Sequence, residues 1–332
     1  MEILITGGAG FIGTNLAVAI ARRGYSVLAL DNFSKPGSRE NRRLLTGLPK
    51  AKVIRHDVSR PLPANLKVDC IVHLAANVDA QKALKSPRRD FAVNALGTLN
   101  VLEFARRQGN VPVIYASTCK VYSAKVNALP LRETDERYDF EAIDGIDENF
   151  PVDGECRYGH NPYGCSKYVG DLYTQEYHTL FGLPVTINRL SAVYGPHQHG
   201  VSGYGWVHWF TKAFKQGLPI TIFGNGKQVR DILYVDDLSG LIIDQIENFQ
   251  KYDGQIFNVG GGKQNSLSLL QLISILRSLK GNGRDHPVTF SEARPADFKV
   301  YISDIRKIHK VANWRPRTSV EDGVENLWKE FS

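Results

Sequence analysis

The sequence predicts an α/β fold built on a doubly wound parallel sheet, with a smaller C-terminal substrate-binding lobe. Three observations support this prediction. Short apolar runs alternate with helical patterns along the first half of the chain, which is typical of parallel strands joined by crossover helices. A glycine-rich turn stands between the first apolar run and the first helical pattern. Beyond about residue 190, the alternation gives way to glycine-rich loops and shorter helical patterns.

The alternation of the first half can be followed element by element. In chain order, the strand and helix patterns are Ile3–Thr6, Phe11–Arg23, Ser26–Leu30, Val53–His56, Cys70–Leu74, Phe91–Gln108 and Val113–Ala116. Later helical patterns span Tyr204–Gln216, Leu267–Leu279 and Val320–Phe331. We therefore expect residues 1–187 to form the sheet domain, with strands near 188–193 and 230–259 returning to it. Residues 194–229 and 260–332 are expected to form the smaller lobe.

Composition narrows the class of protein. The net charge is +7, but the basic residues are scattered and form no block interleaved with aromatic residues, so nucleic acid is not an expected partner. No apolar run approaches the ~18 residues that a membrane helix needs, and the chain enters a strand without a basic-then-apolar leader. The cysteines Cys70, Cys119, Cys156 and Cys165 form no CxxC pair. We expect a cytoplasmic protein with reduced thiols and no membrane partner.

The stretch ILITGGAGFIG predicts a dinucleotide site. It places Gly7, Gly10 and Gly13 between a strand and an apolar helix that Phe11 and Ile12 open. Glycine permits the tight turn and the close approach of backbone to a pyrophosphate, and the helix N-terminus supplies amide donors. The alternative is a glycine-rich turn without a ligand. Because strand, turn and helix stand in the required order, we favour a Rossmann-like cofactor domain.

Asp31, at the end of the second predicted strand, predicts which dinucleotide is bound. A carboxylate at this position accepts hydrogen bonds from the adenosine ribose and repels a 2′-phosphate. We therefore expect NAD in preference to NADP. Asn32 and Ser34 follow directly and are expected to border the same site.

The ends of the third and fourth predicted strands border the same crevice, since ligands of open α/β sheets bind at the carboxyl edge. Asp57 and Val58 follow the third strand, and Asp57 either holds the adenine amino group or caps the strand end. The residues after the fourth strand, where small side chains leave room for the cofactor, are Leu74, Ala75 and Ala76.

A candidate catalytic group lies in HNPYGCSKYVG. Asn161 is a good N-cap and Pro162 a good first helical residue, so Tyr163 and Lys167 lie four residues apart on one helix face. An ammonium near a phenol favours the phenolate, which can take a proton from a substrate hydroxyl. Such pairs are common by chance, but this one follows a dinucleotide site. Thr118, at the strand end in YASTCKVYS, is a hydroxyl donor that would orient the reacting oxygen.

These motifs resemble the extended short-chain dehydrogenase/reductase family of NAD-dependent epimerases and dehydratases. The matching segments are TGGAGFIG, DN at 31–32, STxxVY at 117–122, YxxxK at 163–167 and VYGP at 193–196. The resemblance covers essentially the whole chain. It implies that Thr118, Tyr163 and Lys167 form the catalytic triad, that Tyr163 and Lys167 also contact NAD, and that the substrate is a nucleotide-diphosphate sugar. Cys119 then packs beside the sugar and is not a nucleophile.

The residues after Thr118 indicate the reaction. Sugar-nucleotide 4,6-dehydratases of this family carry an acidic pair where this chain has Cys119 and Lys120, so dehydration is disfavoured. Segments TCKVY, GWVHWF, GNGKQVRD and NSLSLL resemble the 2-epimerases that convert CDP-paratose to CDP-tyvelose. Two alternatives stay open: a 4-epimerase of the UDP-glucose type, and a non-catalytic protein that senses NAD.

The resemblance also assigns the substrate side of the site. Arg230 and Arg294 match the family's diphosphate-binding arginines, and guanidinium suits phosphate by its bidentate geometry. The alternative interpretation of each arginine is a surface residue that does not bind the diphosphate. Cys119, Lys120 and Trp206 are expected to contact the substrate, although Trp206 could instead pack within the lobe. The histidines of PHQH lack a third ligand in register, so no metal site is predicted.

A homodimer is expected from the same resemblance. In this family the helices that correspond to Phe91–Gln108 and Tyr163–Phe181 pair across a two-fold axis as a four-helix bundle. The apolar positions that we expect at this interface are Val101, Phe104, Tyr168, Leu172 and Tyr173.

Overall fold

A computed structural model describes residues 1–152, 161–202, 204–281, 286–294 and 297–331. In chain order, the strands are β1 (Glu2–Thr6), β2 (Ser26–Asp31), β3 (Ala51–Arg55), β4 (Cys70–His73), β5 (Val113–Thr118), β6 (Leu131–Glu133), β7 (Tyr138–Phe140), β8 (Val185–Leu190), β9 (Ala192–Tyr194), β10 (Ile220–Phe223), β11 (Val229–Tyr234), β12 (Gln255–Val259), β13 (Ser266–Ser268), β14 (Val288–Ser291) and β15 (Val300–Tyr301).

Eleven α-helices of the described residues lie between or after these strands. They are α1 (Phe11–Arg22), α2 (Ser38–Thr46), α3 (Ala80–Lys85), α4 (Pro87–Phe91), α5 (Gly97–Arg107), α6 (Pro162–Phe181), α7 (Trp206–Gln216), α8 (Val235–Glu247), α9 (Leu269–Lys280), α10 (Arg306–Ala312) and α11 (Val320–Glu330). A π-helical segment, Ala92–Leu96, joins α4 to α5.

Seven parallel strands form the central sheet in the order β12-β8-β5-β4-β1-β2-β3. The chain runs outward from β1 through β2 to β3 and then returns to β4 on the other side of β1. The register places Ile3 beside Val27 of β2 and beside Cys70 of β4. The strand order therefore reverses between β1 and β4, and ligands of such sheets bind in the crevice at this reversal. This confirms the predicted doubly wound α/β fold.

Two apolar layers enclose the central sheet. Because successive side chains of a strand point to opposite faces, Ile3 and Ile5 pack on one face of β1 while Leu4 packs on the other. The first face is covered by residues of α1 and α8, including Leu16 and Leu241. These layers explain why the strands read as continuous apolar runs.

The chain forms a second sheet and a second apolar core outside the central sheet. β11 pairs in parallel with β9 and β15, and in antiparallel with β13. Helices α7, α9 and α11 pack around Phe214, Leu272 and Val324. Of the strands near 188–193 and 230–259, β8 and β12 belong to the central sheet, whereas β9 and β11 pair in this second sheet. The division of the chain into two domains stays a prediction.

The expected dimer helices carry both buried and exposed apolar residues. Val101 and Phe104 are buried in the core beneath α5, so the prediction that they form an intersubunit surface is wrong. Leu172 and Tyr173 on α6 are exposed. Sequence periodicity identifies apolar positions on a helix, but tertiary packing decides which of them another part of the same chain covers.

Within the described ranges, no helix combines the length and the apolar character needed to cross a membrane. The same part of the chain contains no group of three or more His, Cys, Asp or Glu side chains arranged to hold a metal ion. Cys156, one of the four cysteines in the sequence, lies outside the described residues.

Candidate active site

The turn between β1 and α1 fits the pyrophosphate of a dinucleotide. Gly7 has a φ of +69°, and a Cβ added there would lie 2.8 Å from the backbone nitrogen of Ala75. At Gly13 an added Cβ would lie 2.3 Å from the carbonyl oxygen of Gly7, so these positions have no room for a side chain. Gly10 caps α1 without a side-chain acceptor, and the first turn of α1 has no acidic residue. The helix N-terminus therefore suits an anion.

Asp31 ends β2 beside this turn. Its Oδ2 accepts a hydrogen bond from the amide of Ala9 at 3.1 Å, and its Oδ1 accepts one from the amide of Phe33 at 2.7 Å. Burial raises the pKa of Asp31, and these backbone amides oppose the shift. The carboxylate therefore organises the turn, and its remaining lone pairs are the ones that a ribose would use.

A cavity of about 470 Å³ continues from this strand end; its lining residues are Asn32, Ser34, Arg55, His56, Asp57, Arg60 and Arg89. Asp57 accepts hydrogen bonds from Arg89 at 2.6 Å and from Asn32 at 3.0 Å. Partial burial works to raise the pKa of Asp57, but the hydrogen bonds from Arg89 and Ser59 outweigh it and hold the pKa well below its ordinary value. The structure thus brings Asn32, Ser34 and Asp57 together.

The other predicted cofactor residues surround the same carboxyl edge. Val58 is buried, and its carbonyl accepts a hydrogen bond from Asn100 at 2.8 Å, so its side chain belongs to the core. The backbone amide of Leu74 donates to the carbonyl of Thr6 at 3.1 Å, which extends β4 along β1. The partly exposed residues at this edge are Phe11, Ile12, Leu74, Ala75 and Ala76. Their contacts with the cofactor stay predictions.

Thr118 and Tyr163 meet where β5 faces the start of α6. Asn161 caps α6 as predicted, and its side chain accepts from the amide of Gly164 at 2.9 Å. Thr118 is the last residue of β5, and Tyr163 is the second residue of the helix. Burial raises the pKa of Tyr163 well above its ordinary value, while a hydrogen bond with Thr118 opposes this shift. The two hydroxyl groups that the sequence proposed for catalysis are therefore adjacent.

Lys167 lies one turn further along α6. It is buried, its Nζ donates to the carbonyl of Ala116 at 2.6 Å, and it lies 4.2 Å from the centroid of the Tyr115 ring. Burial lowers the pKa of Lys167 to about 7, although Asp171 and Asp90 oppose this. Lys167 thus lies on the predicted face of α6, but the contacts of its ammonium group are with Ala116 and Tyr115 of β5.

Cys119 follows Thr118 and is buried. Burial raises the pKa of its thiol to about 11, although Lys120 and Arg230 oppose the shift. Since the thiolate is the nucleophilic form, a thiol held neutral at pH 7 is a weak nucleophile. The interpretation of Cys119 as a packing group beside the sugar stays a prediction.

One carboxylate, that of Asp297, pairs with two of the cationic side chains that are predicted to bind the substrate. Asp297 Oδ1 accepts from Lys120 Nζ at 2.9 Å and from an Arg230 guanidinium nitrogen at 2.6 Å. Burial works to raise the pKa of Asp297, but Arg230 and Lys120 outweigh it and hold the pKa far below its ordinary value. Because Lys120 belongs to the turn after β5 and Arg230 to β11, this contact joins the central sheet to the smaller lobe.

The remaining substrate candidates lie within the smaller lobe. The Arg294 guanidinium carbon is 4.0 Å from the centroid of the Phe223 ring, at the end of β10. Trp206 is partly exposed at the start of α7, and its ring packs edge-on against Phe210.

Sequence reasoning missed three carboxylates that position these groups. Asp90 accepts from Ser166 of α6 at 2.5 Å. Asp171 is buried and pairs with Arg189 at 3.0 Å. Asp297 stands three residues after Arg294, and that spacing was the available signal for it. No local pattern indicates the contacts of Asp90 with Ser166 and of Asp171 with Arg189, because these contacts join residues 76 and 18 positions apart.

Comparison with known proteins agrees with this geometry. The model of the NAD dependent epimerase/dehydratase family matches residues 3–260. The chain is 36% identical to the CDP-paratose 2-epimerase of Salmonella typhi, over 99% of this chain and 98% of the relative. It is 29% identical to the putative UDP-glucose 4-epimerase of Methanocaldococcus jannaschii, over 98% of this chain and 96% of the relative.

Solved structures with the same fold include nucleotide-sugar epimerases. The UDP-glucuronic acid 4-epimerase of Bacillus cereus, in complex with UDP-glucuronic acid and NAD, matches with a TM-score of 0.84 and 27% identity, over 100% of this chain and 99% of that one. The UDP-glucose 4-epimerase of Thermus thermophilus, in complex with NAD, matches with a TM-score of 0.78 and 26% identity, over 100% of this chain and 99% of that one.

The family match, the turn after β1 and the residues at the carboxyl edge of the sheet lead to one conclusion. The predictions of an extended short-chain dehydrogenase/reductase and of NAD as its cofactor are confirmed. The chain belongs to the NAD dependent epimerase/dehydratase family, a family of nucleotide-sugar enzymes, and is an NAD-dependent enzyme.

Proposed function

We propose that this chain inverts C2 of a nucleotide-linked hexose, with CDP-paratose as substrate and CDP-tyvelose as product. The observation that carries the proposal is the 36% identity to a CDP-paratose 2-epimerase over 99% of this chain. The sequence after Thr118 supports it, because Cys119 and Lys120 replace the acidic pair that a 4,6-dehydratase uses to eliminate water.

The chemistry begins at the C2 hydroxyl. Tyr163 takes the hydroxyl proton as general base, and Thr118 orients the same oxygen. When bound, NAD supplies the hydride acceptor and later returns the hydride. The C2 hydrogen of a hexose is unactivated, so oxidation to a ketone removes the stereocentre where direct deprotonation is prohibitive. Return of the hydrogen to the opposite face, with the proton returned from Tyr163, inverts C2 without net redox change.

The oxidised sugar has to rotate within the pocket before the hydrogen can return to its opposite face. While the sugar rotates, contacts with the diphosphate have to hold the substrate in the site. Lys120 stands two residues after Thr118, and it converges with Arg230 on Asp297. Two cationic side chains that converge in this way suit phosphate oxygens. We therefore propose that Lys120, Arg230 and Arg294 anchor the diphosphate, with Trp206 bordering the pocket.

A second candidate is a 4-epimerase of the UDP-glucose type, which would use the same triad with C4 presented to the cofactor. The observation in its favour is the 29% identity to a putative UDP-glucose 4-epimerase over 98% of this chain. A non-catalytic NAD-sensing protein is a third interpretation, and the adjacent Thr118 and Tyr163 hydroxyls argue against it.

The deciding experiment is incubation with candidate nucleotide sugars in D₂O, followed by NMR. Our proposal predicts inversion at C2 without deuterium there, because the migrating hydrogen never becomes a proton. Deuterium at C2 would contradict the transient ketone. Inversion at C4 with C2 untouched would establish the second candidate. The comparison of CDP-linked with GDP- and UDP-linked sugars identifies the nucleotide, and Tyr163→Phe is the inactive control.

The assembly that we propose is a homodimer formed through the α4–α6 face. The π-helical segment after α4 packs against α6, so these helices form one surface. The exposed apolar side chains on them are Phe91, Leu96, Leu172, Tyr173, Leu180 and Phe181. Removal of such side chains from water is the main driving force of association.

A further inference from the structure

Asn41 of α2 connects parts of the chain that are distant in sequence. It is 3% exposed, and its amide nitrogen donates to the carbonyl of Ala9 at 3.1 Å and to the carbonyl of His197 at 3.3 Å. Its amide oxygen lies 3.2 Å from Nε2 of His199. One buried side chain thus uses both donors and its acceptor, and it joins the dinucleotide turn to the loop Pro196–His199.

The loop Pro196–His199 is held in an unusual conformation. His197 has a φ of 62° and His199 a φ of 49°, in the left-handed region that residues with a Cβ seldom adopt. Such a conformation persists only where the surroundings impose it. The carbonyl of Pro196 accepts a hydrogen bond from Asn15 of α1 at 2.8 Å, so the loop is fastened to the helix that follows the turn.

The backbone before α2 leaves space for the imidazole ring of His199. Gly37 has a φ of +74°, and a Cβ added there would lie 2.0 Å from the imidazole carbon Cδ2 of His199. The imidazole ring therefore packs directly on the backbone of Gly37. Any side chain at position 37 would displace the ring, and with it the contact to Asn41.

We propose that Asn41 and the loop Pro196–His199 form a latch that holds the dinucleotide turn closed and slows the release of NAD. Ala9 lies in that turn, and both of its backbone polar groups are held: its amide donates to Asp31, and its carbonyl accepts from Asn41. Asn41 is thus a positioning residue that acts through Ala9. The proposal concerns the retention of NAD, and it does not depend on which sugar carbon the enzyme inverts.

The test measures NAD dissociation in the full chain. Protein loaded with NADH is chased with excess NAD, and the loss of NADH fluorescence gives the rate. Asn41→Asp keeps the size and the acceptor of the side chain but cannot donate to either carbonyl. Because the latch depends on these two donors, Asn41→Asp and Asn41→Ala should both release the nucleotide about tenfold faster than the wild type. A role in filling space would leave Asn41→Asp near the wild-type rate, which would overturn the proposal.

A second variant and a matched control complete the design. His199→Ala removes the ring but leaves Asn41, and it should speed release about threefold; it decides the question if the Asn41 variants do not fold. Asn188 is also a buried asparagine, but it pairs with Gln245 at 2.8 Å in the core. Asn188→Ala should lower Tm while leaving the NAD dissociation rate within about twofold. Acceleration in this control as large as in Asn41→Asp would also overturn the proposal, because lost stability would then explain it.

Discussion

The ammonium group of Lys167 donates a hydrogen bond to the carbonyl of Ala116, at a distance of 2.6 Å, and so ties α6 to the strand that ends in Thr118. Burial governs the protonation of both helix residues at the site. It lowers the pKa of Lys167 to about 7 and raises the pKa of Tyr163. A positive charge placed beside the phenol lowers the pKa of Tyr163 toward the range in which a phenolate can act as the base.

The lowered pKa of Lys167 predicts a pH-dependent stability. Between about pH 7 and its ordinary pKa of 10.5, the unfolded chain holds the lysine proton and the folded chain does not. The free energy of unfolding of the wild type, relative to Lys167→Met, should therefore rise with pH across this window. The rise should be on the order of a few kcal/mol, since one pKa unit corresponds to about 1.4 kcal/mol.

Denaturant unfolding of both proteins at a series of pH values measures this difference. The matched control is the difference in the free energy of unfolding between the wild type and Lys310→Met at the same pH values, because Lys310 is an exposed lysine. A difference between wild type and Lys167→Met that stays constant from pH 7 to 10.5 would mean that Lys167 keeps its ordinary pKa in the folded protein.

Replacement of Tyr163 by Phe should abolish turnover while the fold and the NAD content stay near normal. The substitution removes the phenolic oxygen that we propose takes the substrate proton, and it keeps the buried aromatic ring. Circular dichroism, NAD content and the epimerase assay measure the three properties. More than about a tenth of wild-type activity would mean that another group acts as the base.

Cys119→Ser should remain active, within about tenfold of the wild type. The thiol is neutral near pH 7 because burial raises its pKa to about 11, so no covalent step through sulfur is expected. The measurement is kcat with the same nucleotide sugar, and Tyr163→Phe serves as the inactive reference. An inactive Cys119→Ser protein with normal fold and NAD content would point back to covalent catalysis.

Asp31→Ala should weaken the preference for NAD over NADP by about tenfold or more, because the substitution removes the carboxylate that repels a 2′-phosphate. It also removes the acceptor for the amides of Ala9 and Phe33, so Tm should fall. Affinities for both dinucleotides measure the preference, and Asp31→Asn separates lost charge from lost size.

Heat denaturation of the purified wild type should release NAD(H); release of NADP(H) alone would refute the role of Asp31.

The proposed homodimer predicts a species of twice the chain mass of 37.0 kDa in sedimentation at micromolar concentration. Leu172→Glu should shift it toward the monomer, because a charge would replace an exposed apolar side chain of the proposed face. Leu44→Glu is the control, since Leu44 is exposed on α2, outside this face. A wild-type protein that sediments as a single species of 37.0 kDa would contradict the proposal.

The sequence by itself determined the elements and their chemistry where the signal is local. The helical pattern at Phe11–Arg23 appears as α1 (Phe11–Arg22), and the Asn161-Pro162 start of α6 appears at the predicted residues. Apolar periodicity, caps and glycine turns act between residues close together in the chain, so a reader of the sequence sees them directly. The same locality makes the dinucleotide turn and the NAD cofactor predictable.

Tertiary structure alone decided which distant groups meet and how they are charged. Lys120 and Asp297 are 177 residues apart, and Asn41 is 156 residues from His197, yet both pairs are in contact. Burial of Val101 beneath α5, and the pKa shifts of Lys167 and Cys119, depend on the same packing. The physical reason is that desolvation and long-range contacts arise only when separate segments pack together, and no local pattern in the sequence encodes that event.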